Sequence, residues 1–216
     1  MTVREWKEYF HSLPRKRVLN ILSLEVSRTK LGSLIQRPDI VRQLDWIDFV
    51  WPKEKLKKNQ YPQVQLYCLL SAKGSWTDFH IDFGGSSVFY HIVKGRKIFY
   101  VIEPTPEAIE IYEKWYLTPK ADKVFLGDLI ECRVVELKAN NTFLIPSGWI
   151  HAVYTPEDSL VIGGNFLNSL CIKQQIEIHE LEQRTNVPIH FMFPMFDDIC
   201  IYVIDYYSKS WSFFYL

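Results

Sequence analysis

Apolar residues recur at helical spacing near both ends of the chain. Thr2 followed by Glu5 forms a capping-box pattern, which predicts a short N-terminal helix. Residues 37–52 place apolar side chains three or four positions apart, and Pro52 should end that helix. The charged segment 173–184 has a helix-forming composition, and a mixed apolar segment follows it. The pattern therefore predicts helices that flank a central region of another kind.

Between the two ends, short apolar or alternating runs predict strands rather than helices. The predicted strands are residues 18–27, 64–71, 88–93, 97–102, 134–137, 142–145, 149–154 and 160–166. Lys94-Gly95 is a predicted hairpin turn, residues 155–158 (TPED) predict a second turn, and 106–116 predict a helix. The lysine-rich segment 52–62 should be a solvated loop. Many short strands with helices at the ends predict a mostly β, α+β fold, namely an antiparallel double-sheet barrel with flanking helices.

Composition and charge narrow the class of protein. The 216 residues, 48% of them hydrophobic, are enough for one domain with its own core. The 25 basic and 25 acidic residues cancel, so the chain has no net field for nucleic acid and no strong DNA binding is expected. Four widely spaced cysteines without a C-x-x-C pair argue against a zinc finger. No signal peptide or membrane span is visible, so we expect a soluble intracellular domain.

A candidate metal site begins with His80 and Asp82 in the segment TDFHIDFGG. Because residues i and i+2 of a strand point to the same face, an imidazole and a carboxylate would converge on one point. His151 follows a Pro-Ser-Gly turn and is far enough along the chain to return on a strand across the barrel. Two histidines and one carboxylate on one face of a metal are typical of non-haem Fe(II) oxygenases. The three residues are therefore candidate metal ligands and candidate catalytic residues.

A plainer interpretation of the same residues remains open. An isolated His-x-Asp pair is a weak signal, and His80 would then be a hydrogen-bonded core histidine beside a turn carboxylate. Gly84-Gly85 follows at once, which favours a tight turn or a close backbone approach at this point. Structural or surface positions are expected for the other four histidines, which are His11, His91, His179 and His190.

An oxygenase of this class also needs an anchor for a dicarboxylate co-substrate, whose far carboxylate binds a cation and a hydroxyl group. Lys97 begins a predicted strand next to the metal-bearing segment, and a lysine that faces the barrel interior needs an anionic partner. The open alternative is a lysine on the solvent side of the hairpin. Thr77 could supply the hydroxyl group, and Asn165, after two glycines, could turn its amide into the same cavity.

These residues lie within a longer pattern that resembles the JmjC-domain histone lysine demethylases. The similarity is to the branch that holds the F-box/CXXC type (lysine demethylase family 2) and the PHD-finger type (family 7), and it is closer to the former. It extends from about Leu19 to about Tyr207. It rests on the segments LNILSLEVSRTKL, IVRQLDWIDFVWP, YCLLSAKGSWTDFHIDFGGSSVFYHIVKGRKIFYVIEPT, FLGD, FLIPSGWIHAVYTPEDSLVIGGNFL and ELEQRTNVP.

The resemblance implies the double-stranded β-helix, also called a cupin-like jelly roll. It implies one JmjC catalytic domain over residues 1–216, with a core at about 19–170 and a helical C-terminal segment at about 171–216. Trp76 and Phe89 stand where the family usually has tyrosine and tryptophan, and both changes keep an aromatic ring. No PHD-finger, CXXC, F-box or leucine-rich-repeat pattern is present in the sequence, and its last nine residues, SKSWSFFYL, do not resemble the family.

The resemblance also assigns roles to individual residues. The family's iron-ligand positions fall on His80, Asp82 and His151. The positions that bind the far carboxylate of 2-oxoglutarate fall on Lys97 and Thr77, and those that line its pocket fall on Tyr90, Asn165 and Asn20.

The implied activity is a dioxygenase reaction that uses Fe(II), 2-oxoglutarate and O2. It would demethylate N-methyl-lysine on the histone H3 tail of the nucleosome by hydroxylation and formaldehyde release, in the nucleus. Similarity to the F-box/CXXC type implies the mono- or dimethylated lysine at position 36 of H3, whereas the PHD-finger type points to positions 9 and 27. Three alternatives stay open: a JmjC protein hydroxylase, a non-catalytic JmjC-like chromatin scaffold, and a cupin-type storage or metal-binding protein.

Overall fold

The computed structural model describes residues 2–211, which form seven α-helices, seven strands and several short 3-10 turns. The helices are α1 (Val3–His11), α2 (Asp39–Leu44), α3 (Trp46–Val50), α4 (Lys53–Lys57), α5 (Pro106–Leu117), α6 (Ile172–Arg184) and α7 (Phe196–Trp211). The strands are β1 (Asn20–Glu25), β2 (Tyr67–Ser71), β3 (Trp76–His80), β4 (Ser87–Ile102), β5 (Arg133–Lys138), β6 (Thr142–Ile145) and β7 (Ile150–Phe166).

Local sequence signals account for most of the helix ends. The capping box predicted at the N-terminus of α1 is present, with the Glu5 amide donating to Thr2 Oγ1 and the Thr2 amide donating to Glu5 Oε2. The helix predicted over 37–52 is divided into α2 and α3 at Asp45, whose carboxylate accepts from the amide of Ile47 and caps α3. The predicted solvated loop at 52–62 is wrong in part, because it contains the short helix α4.

The predicted hairpin turn at Lys94-Gly95 is wrong. Both predicted strands belong to the single strand β4, and Gly95 adopts a positive φ of 87° within it. The predicted turn at TPED likewise lies inside β7. The two segments face each other, since Arg96 pairs with Glu157, and the register shifts around this pair. Such bulges absorb extra residues and bend paired strands, so residues that favour turns here bend the strands instead of reversing them.

Strands β4 and β7 form the centre of both sheets of the molecule. They pair antiparallel along their whole lengths. The first half of β4 also pairs with β6 and its second half with β5, while β7 pairs first with β3 and then with β2, which in turn pairs with β1. The orders β1-β2-β7-β4-β6 and β3-β7-β4-β5 therefore describe two sheets that share two bent strands. This is the predicted double-stranded β-helix.

The core lies between the two sheets, where side chains from both halves of β4 meet. Tyr90, from the first half, contacts Phe99, from the second half, with ring centroids 5.1 Å apart and nearly perpendicular planes. The buried cluster around them contains Val88, Ile92, Val101, Leu137, Ile145, Val153 and Val161. Burial of each such side chain stabilises the fold by about 1.5–3 kcal/mol, so this cluster holds the two sheets face to face.

Helices cover the ends of the barrel and contact the segment that carries the candidate metal ligands. Helix α6 packs against the 3-10 turn Phe83–Gly85 that directly follows Asp82. Helix α7 packs on α3 through a buried cluster that includes Trp46 and Ile199. Helices α6 and α7 both lie in the C-terminal part of the chain, for which a helical segment from 171 is predicted, and residues 212–216 lie outside the described residues.

Among the helices of residues 2–211, none combines the length and the apolar character that crossing a membrane requires.

Replacement of Gly95 by alanine should destabilise the protein more than replacement of Gly74. Both glycines have a φ near 85°, which costs about 1–3 kcal/mol for other residues. A Cβ at position 95 would in addition overlap the carbonyl oxygen of Asp158, whereas at position 74 the nearest atom is 3.8 Å away. Overpacking of this kind costs a further ~1–3 kcal/mol. Urea unfolding of both variants measures the difference, and equal losses would contradict the bend described for β4.

Candidate metal centre and adjoining cavity

The three candidate ligands come together at one end of the paired strands. His80 ends β3 and His151 lies near the start of β7, and the two residues are direct partners in the antiparallel pairing of these strands. The sequence predicts that His151 lies on a strand across the barrel from His80. This prediction is wrong, because the two histidines lie on neighbouring, hydrogen-bonded strands. Asp82 lies just beyond β3, but its backbone stays extended (φ −62°, ψ 140°), so the two-residue alternation that brings it beside His80 continues.

The side chains of the triad face a single point. Their ligand atoms all lie within 4.8 Å of one another. His151 Nε2 lies 3.6 Å from Asp82 Oδ2, and the two imidazole rings have centroids 4.3 Å apart. Two imidazoles and one carboxylate in this arrangement leave the opposite side of a metal open, which is the donor set that suits non-haem Fe(II).

The hydrogen bonds of the two histidines select the tautomer that can bind a metal. Nδ1 of His80 lies 2.8 Å from the carbonyl oxygen of Asp78, and Nδ1 of His151 lies 3.0 Å from that of Trp149. A carbonyl oxygen only accepts, so each Nδ1 carries the proton and each Nε2 keeps its lone pair. Both bonds reach the residue two positions earlier, so the local strand geometry itself orients both imidazoles.

Burial keeps His151 neutral. Its side chain is almost completely enclosed, and its pKa is lowered chiefly by that burial and then by the neighbouring His80, although the charge of Asp82 acts in the opposite direction. A neutral imidazole is the form that binds a metal. The electrostatics of the triad therefore favour metal binding at neutral pH.

The carboxylate of Asp82 is held by Asn165. The amide nitrogen Nδ2 of Asn165 donates to Asp82 Oδ1 at 3.2 Å and to the hydroxyl of Ser86 at 2.9 Å. Asn165 is a residue of β7 that lines the cavity, and its partner there is the candidate ligand Asp82. The structure therefore links Asn165 to the position of Asp82 as well as to the wall of the cavity.

Lys97 is a buried cation. Its side chain faces the interior between the sheets and is only 2% exposed, which excludes the alternative of a lysine on the solvent side. The ammonium group donates to the hydroxyls of Ser71 at 2.7 Å and Thr155 at 2.8 Å, and both partners are uncharged. Burial lowers the pKa of Lys97 to about 7. A buried ammonium without a carboxylate among the described residues is a ready partner for an anion.

Asn20 and Thr77 belong to the same polar group as Lys97. The Ser71 hydroxyl, which accepts from Lys97, donates in turn to Asn20 Oδ1 at 2.7 Å, and Asn20 Nδ2 contacts Thr77 Oγ1 at 3.5 Å. The three residues predicted separately from the sequence thus lie side by side through Ser71. Hydroxyl and amide groups around one ammonium are the surroundings that a carboxylate group needs.

A cavity of about 410 Å³ connects the triad with Lys97 and Thr77, while Asn20 is not among the residues that line it. A volume of this size is ordinary for a site that holds a small molecule. Tyr90 lies in its wall, and burial together with the charge of Asp82 raises the pKa of its hydroxyl, so the group remains a protonated donor. The triad supplies metal ligands at one place in the cavity, and Lys97 supplies a cation at another. The residues therefore fit a metal ion and an anionic small molecule together.

Three polar residues of the site were not predicted. Ser71 and Thr155 hold Lys97, and Glu182 lies in the cavity wall with its side chain buried. Burial raises the pKa of Glu182 to about 7, while a hydrogen bond from the Gly84 amide lowers it in part. A signal for Glu182 existed, because it follows Ile178 and Leu181 at helical spacing and so places a carboxylate on the apolar face of α6.

The remaining histidines lie outside the triad. His91 bonds to the hydroxyl of Thr142 on the neighbouring strand. His179 stacks on the ring of Phe196 at 4.1 Å. Among the described residues, no second cluster of side chains with metal-ligand spacing is present.

Comparison with known proteins agrees with this geometry. Residues 67–166 match the family model of the JmjC domain, described as a hydroxylase domain. This match begins at the first residue of β2 and ends at the last residue of β7, so it includes all three members of the triad and Lys97.

Curated relatives match nearly the whole chain. Lysine-specific demethylase 2A of Xenopus tropicalis is 48% identical over 96% of this chain and 19% of that protein. JmjC domain-containing histone demethylation protein 1 of Emericella nidulans is 52% identical over 97% of this chain and 15% of that protein. Histone lysine demethylase PHF8 of Danio rerio is 47% identical over 94% of this chain and 20% of that protein. The chain therefore spans a fifth or less of the length of these relatives.

The extent of these matches and the shared fold lead to one conclusion. The chain belongs to the JmjC family, and within it the chain is similar to the proteins named histone lysine demethylases, more closely to lysine demethylase family 2.

Proposed function

We propose that this chain is an Fe(II)- and 2-oxoglutarate-dependent dioxygenase that removes methyl groups from N-methyl-lysine on histone H3. One observation carries the proposal: a triad of two histidines and one aspartate shares a single cavity with a buried lysine that has no acidic partner among the described residues. A metal site alone would serve many proteins. The second charged anchor is what a dicarboxylate co-substrate requires.

His80, Asp82 and His151 are the proposed iron ligands. Each imidazole offers Nε2, because Nδ1 donates to a backbone carbonyl. Asp82 offers Oδ2 on the side of His151, while Oδ1 is held by Asn165. The ligands are thus oriented before a metal arrives, which lowers the entropy lost on binding.

Lys97 is the proposed anchor for the far carboxylate of 2-oxoglutarate. Its ammonium and the hydroxyl of Thr77 would both donate to that carboxylate, and Asn20 would stand beside them. Tyr90 and Asn165 line the same cavity and would orient the co-substrate from its side. The resulting contacts fix the molecule at the end distant from the triad and direct its other end to the metal.

When bound, iron and 2-oxoglutarate would supply the activation of dioxygen that hydroxylates the N-methyl group, and the hydroxylated product then releases formaldehyde. The residues of the chain would position the metal and the co-substrate and would exclude water from the cavity. Apolar residues of the cavity wall, namely Val88, Phe99, Ile145 and Val153, separate the metal from solvent on the side of the core. A dry wall of this kind protects a reactive oxidant from side reactions.

The proposed substrate is the mono- or dimethylated lysine at position 36 of the H3 tail. It is supported by the identity of 52% with histone demethylation protein 1, against 48% with lysine-specific demethylase 2A and 47% with PHF8. Positions 9 and 27 of H3 are the alternatives that the PHD-finger type implies. The residues at the cavity rim, and not the fold, select the peptide. A test of the substrate therefore needs H3 peptides methylated at positions 9, 27 and 36.

We also propose that residues 1–216 act as one JmjC catalytic unit with a core at about 19–170 and a helical C-terminal segment at about 171–216. Its proposed place is the nucleus, with the histone H3 tail of the nucleosome as its partner. The balanced charge of the chain supports recognition of the tail without strong DNA binding.

Lys97→Met should weaken 2-oxoglutarate binding by at least about 30-fold, because an ion pair in a buried site loses one partner. In the parent protein the affinity should fall as the pH rises above about 7, since the ammonium must be protonated in the complex and its free pKa is about 7. Binding above pH 7 should therefore take up a proton. Calorimetry at several pH values, with Mn(II) in place of iron, measures both effects. Lys94→Met, which removes an exposed lysine of the same strand, is the control.

Demethylation should be detected directly on methylated H3 peptides. The purified chain is loaded anaerobically with Fe(II) and 2-oxoglutarate, oxygen is admitted, and peptides methylated at position 9, 27 or 36 are weighed by mass spectrometry. Loss of one methyl mass from the position-36 peptide, with matching succinate release, is the expected result.

The controls for this assay are two histidine variants. His80→Ala should abolish turnover because the triad loses a ligand, whereas His91→Ala should retain it, since the His91 side chain does not line the cavity. Binding of 2-oxoglutarate without loss of mass from any peptide would refute the demethylase proposal and favour a hydroxylase or a scaffold. Absence of both iron and 2-oxoglutarate binding would refute the oxygenase proposal itself.

A further inference from the structure

Helix α6 packs against the turn that follows Asp82. The turn Phe83–Gly85 directly follows the aspartate, and the amide of Gly84 donates to Oε1 of Glu182 at 2.8 Å. Glu182 is only 6% exposed and lines the cavity that contains the triad. A carboxylate of a helix outside the JmjC match at 67–166 thus bonds to the backbone two residues after a proposed ligand.

The turn has little freedom to find another arrangement. Gly84 and Gly85 both have positive φ, of 59° and 57°. A Cβ on Gly84 would lie 2.8 Å from Cβ of Phe193, and one on Gly85 would lie 3.0 Å from the carbonyl oxygen of Gln174 on α6. The backbone therefore packs directly against the C-terminal helices, and a buried amide in such a place needs an acceptor.

We propose that Glu182 is a positioning residue for the metal site: by accepting from the Gly84 amide, it sets the path of the turn and through it the placement of the Asp82 carboxylate. This inference rests on the proposed iron-binding function and adds a residue outside the JmjC match to the machinery of that site. The second oxygen of Glu182 is buried without a hydrogen-bond partner and lies 3.7 Å from Nδ1 of His179.

Glu182 can affect Asp82 because the amide that it accepts from, that of Gly84, is only two residues away from Asp82. Without Oε1 the buried amide of Gly84 has lost its acceptor, and a buried unpaired amide is unfavourable. The turn then shifts toward another acceptor, and Asp82 moves with it because only Phe83 separates Asp82 from Gly84. Loss of an outer partner of a metal ligand typically lowers metal affinity by about 10–100-fold.

A merely structural role for Glu182 would have a different consequence. If the residue only joined α6 to the barrel, its removal would lower stability but leave the coordination of a bound metal unchanged. An absorption spectrum of the bound metal distinguishes the two possibilities, because it reports the geometry of the ligands. An activity assay does not distinguish them.

Co(II) is the probe, with its dissociation constant and its ligand-field absorption as the two measurements. Glu182→Met keeps the length and removes the acceptor, whereas Glu182→Gln keeps a carbonyl oxygen that can accept from Gly84. Glu180→Met, an exposed position on the same helix, is the matched control. Near-ultraviolet circular dichroism without metal shows that each variant is folded. If Glu182→Met does not fold, Glu182→Asp replaces it, because its shorter side chain withdraws the acceptor.

The expected result is a dissociation constant for Co(II) about 10–100-fold higher in Glu182→Met, with a shifted absorption spectrum. Glu182→Gln and Glu180→Met should stay near the parent protein in both measurements. An unchanged spectrum in a folded Glu182→Met variant, or equal damage in Glu182→Gln, overturns the inference while leaving the proposed function intact. If the parent protein binds no Co(II), the metal site itself is refuted and the inference with it.

Discussion

The antiparallel pairing of β4 with β7 is the constraint on which the site depends. The two strands contribute to both sheets, and their shared bend at Gly95 turns the sheets face to face. The pairing places His151 beside Val101 and exposes the other edge of β7 to β3, which carries His80. The triad and the polar group around Lys97 therefore belong to one interior because two long strands remain in register.

The cavity region contains buried polar and charged side chains, which destabilise a protein core unless they are paired. A buried ammonium and several buried hydroxyls lie between the sheets, and apolar side chains of the same size would pack there without loss of solvation. Such groups are satisfied by one another only in part. Their cost in stability is offset by the apolar cluster around Phe99. The Lys97 ammonium, which has no carboxylate partner among the described residues, favours an anion in this cavity.

The barrel and the C-terminal helix α6 are in contact next to the candidate metal ligands. The JmjC match ends at Phe166, yet the turn that follows Asp82 packs against α6, and its Gly84 amide donates to Glu182. A metal site on strands is precise when the neighbouring backbone is also fixed. Helix α6 therefore both covers one end of the barrel and contacts the backbone next to Asp82.

The sequence by itself determined the features that arise from contacts over a few residues. The capping box of α1, the helix α5, the two-residue spacing of His80 and Asp82 and the class of fold all follow from local periodicity and side-chain chemistry. Only the tertiary structure decided that the residues around Gly95 bend a strand instead of reversing it. It alone also brought Ser71 and Glu182 to the site. The physical reason is that register, burial and the partners of a polar group depend on residues distant in sequence, which no local pattern contains.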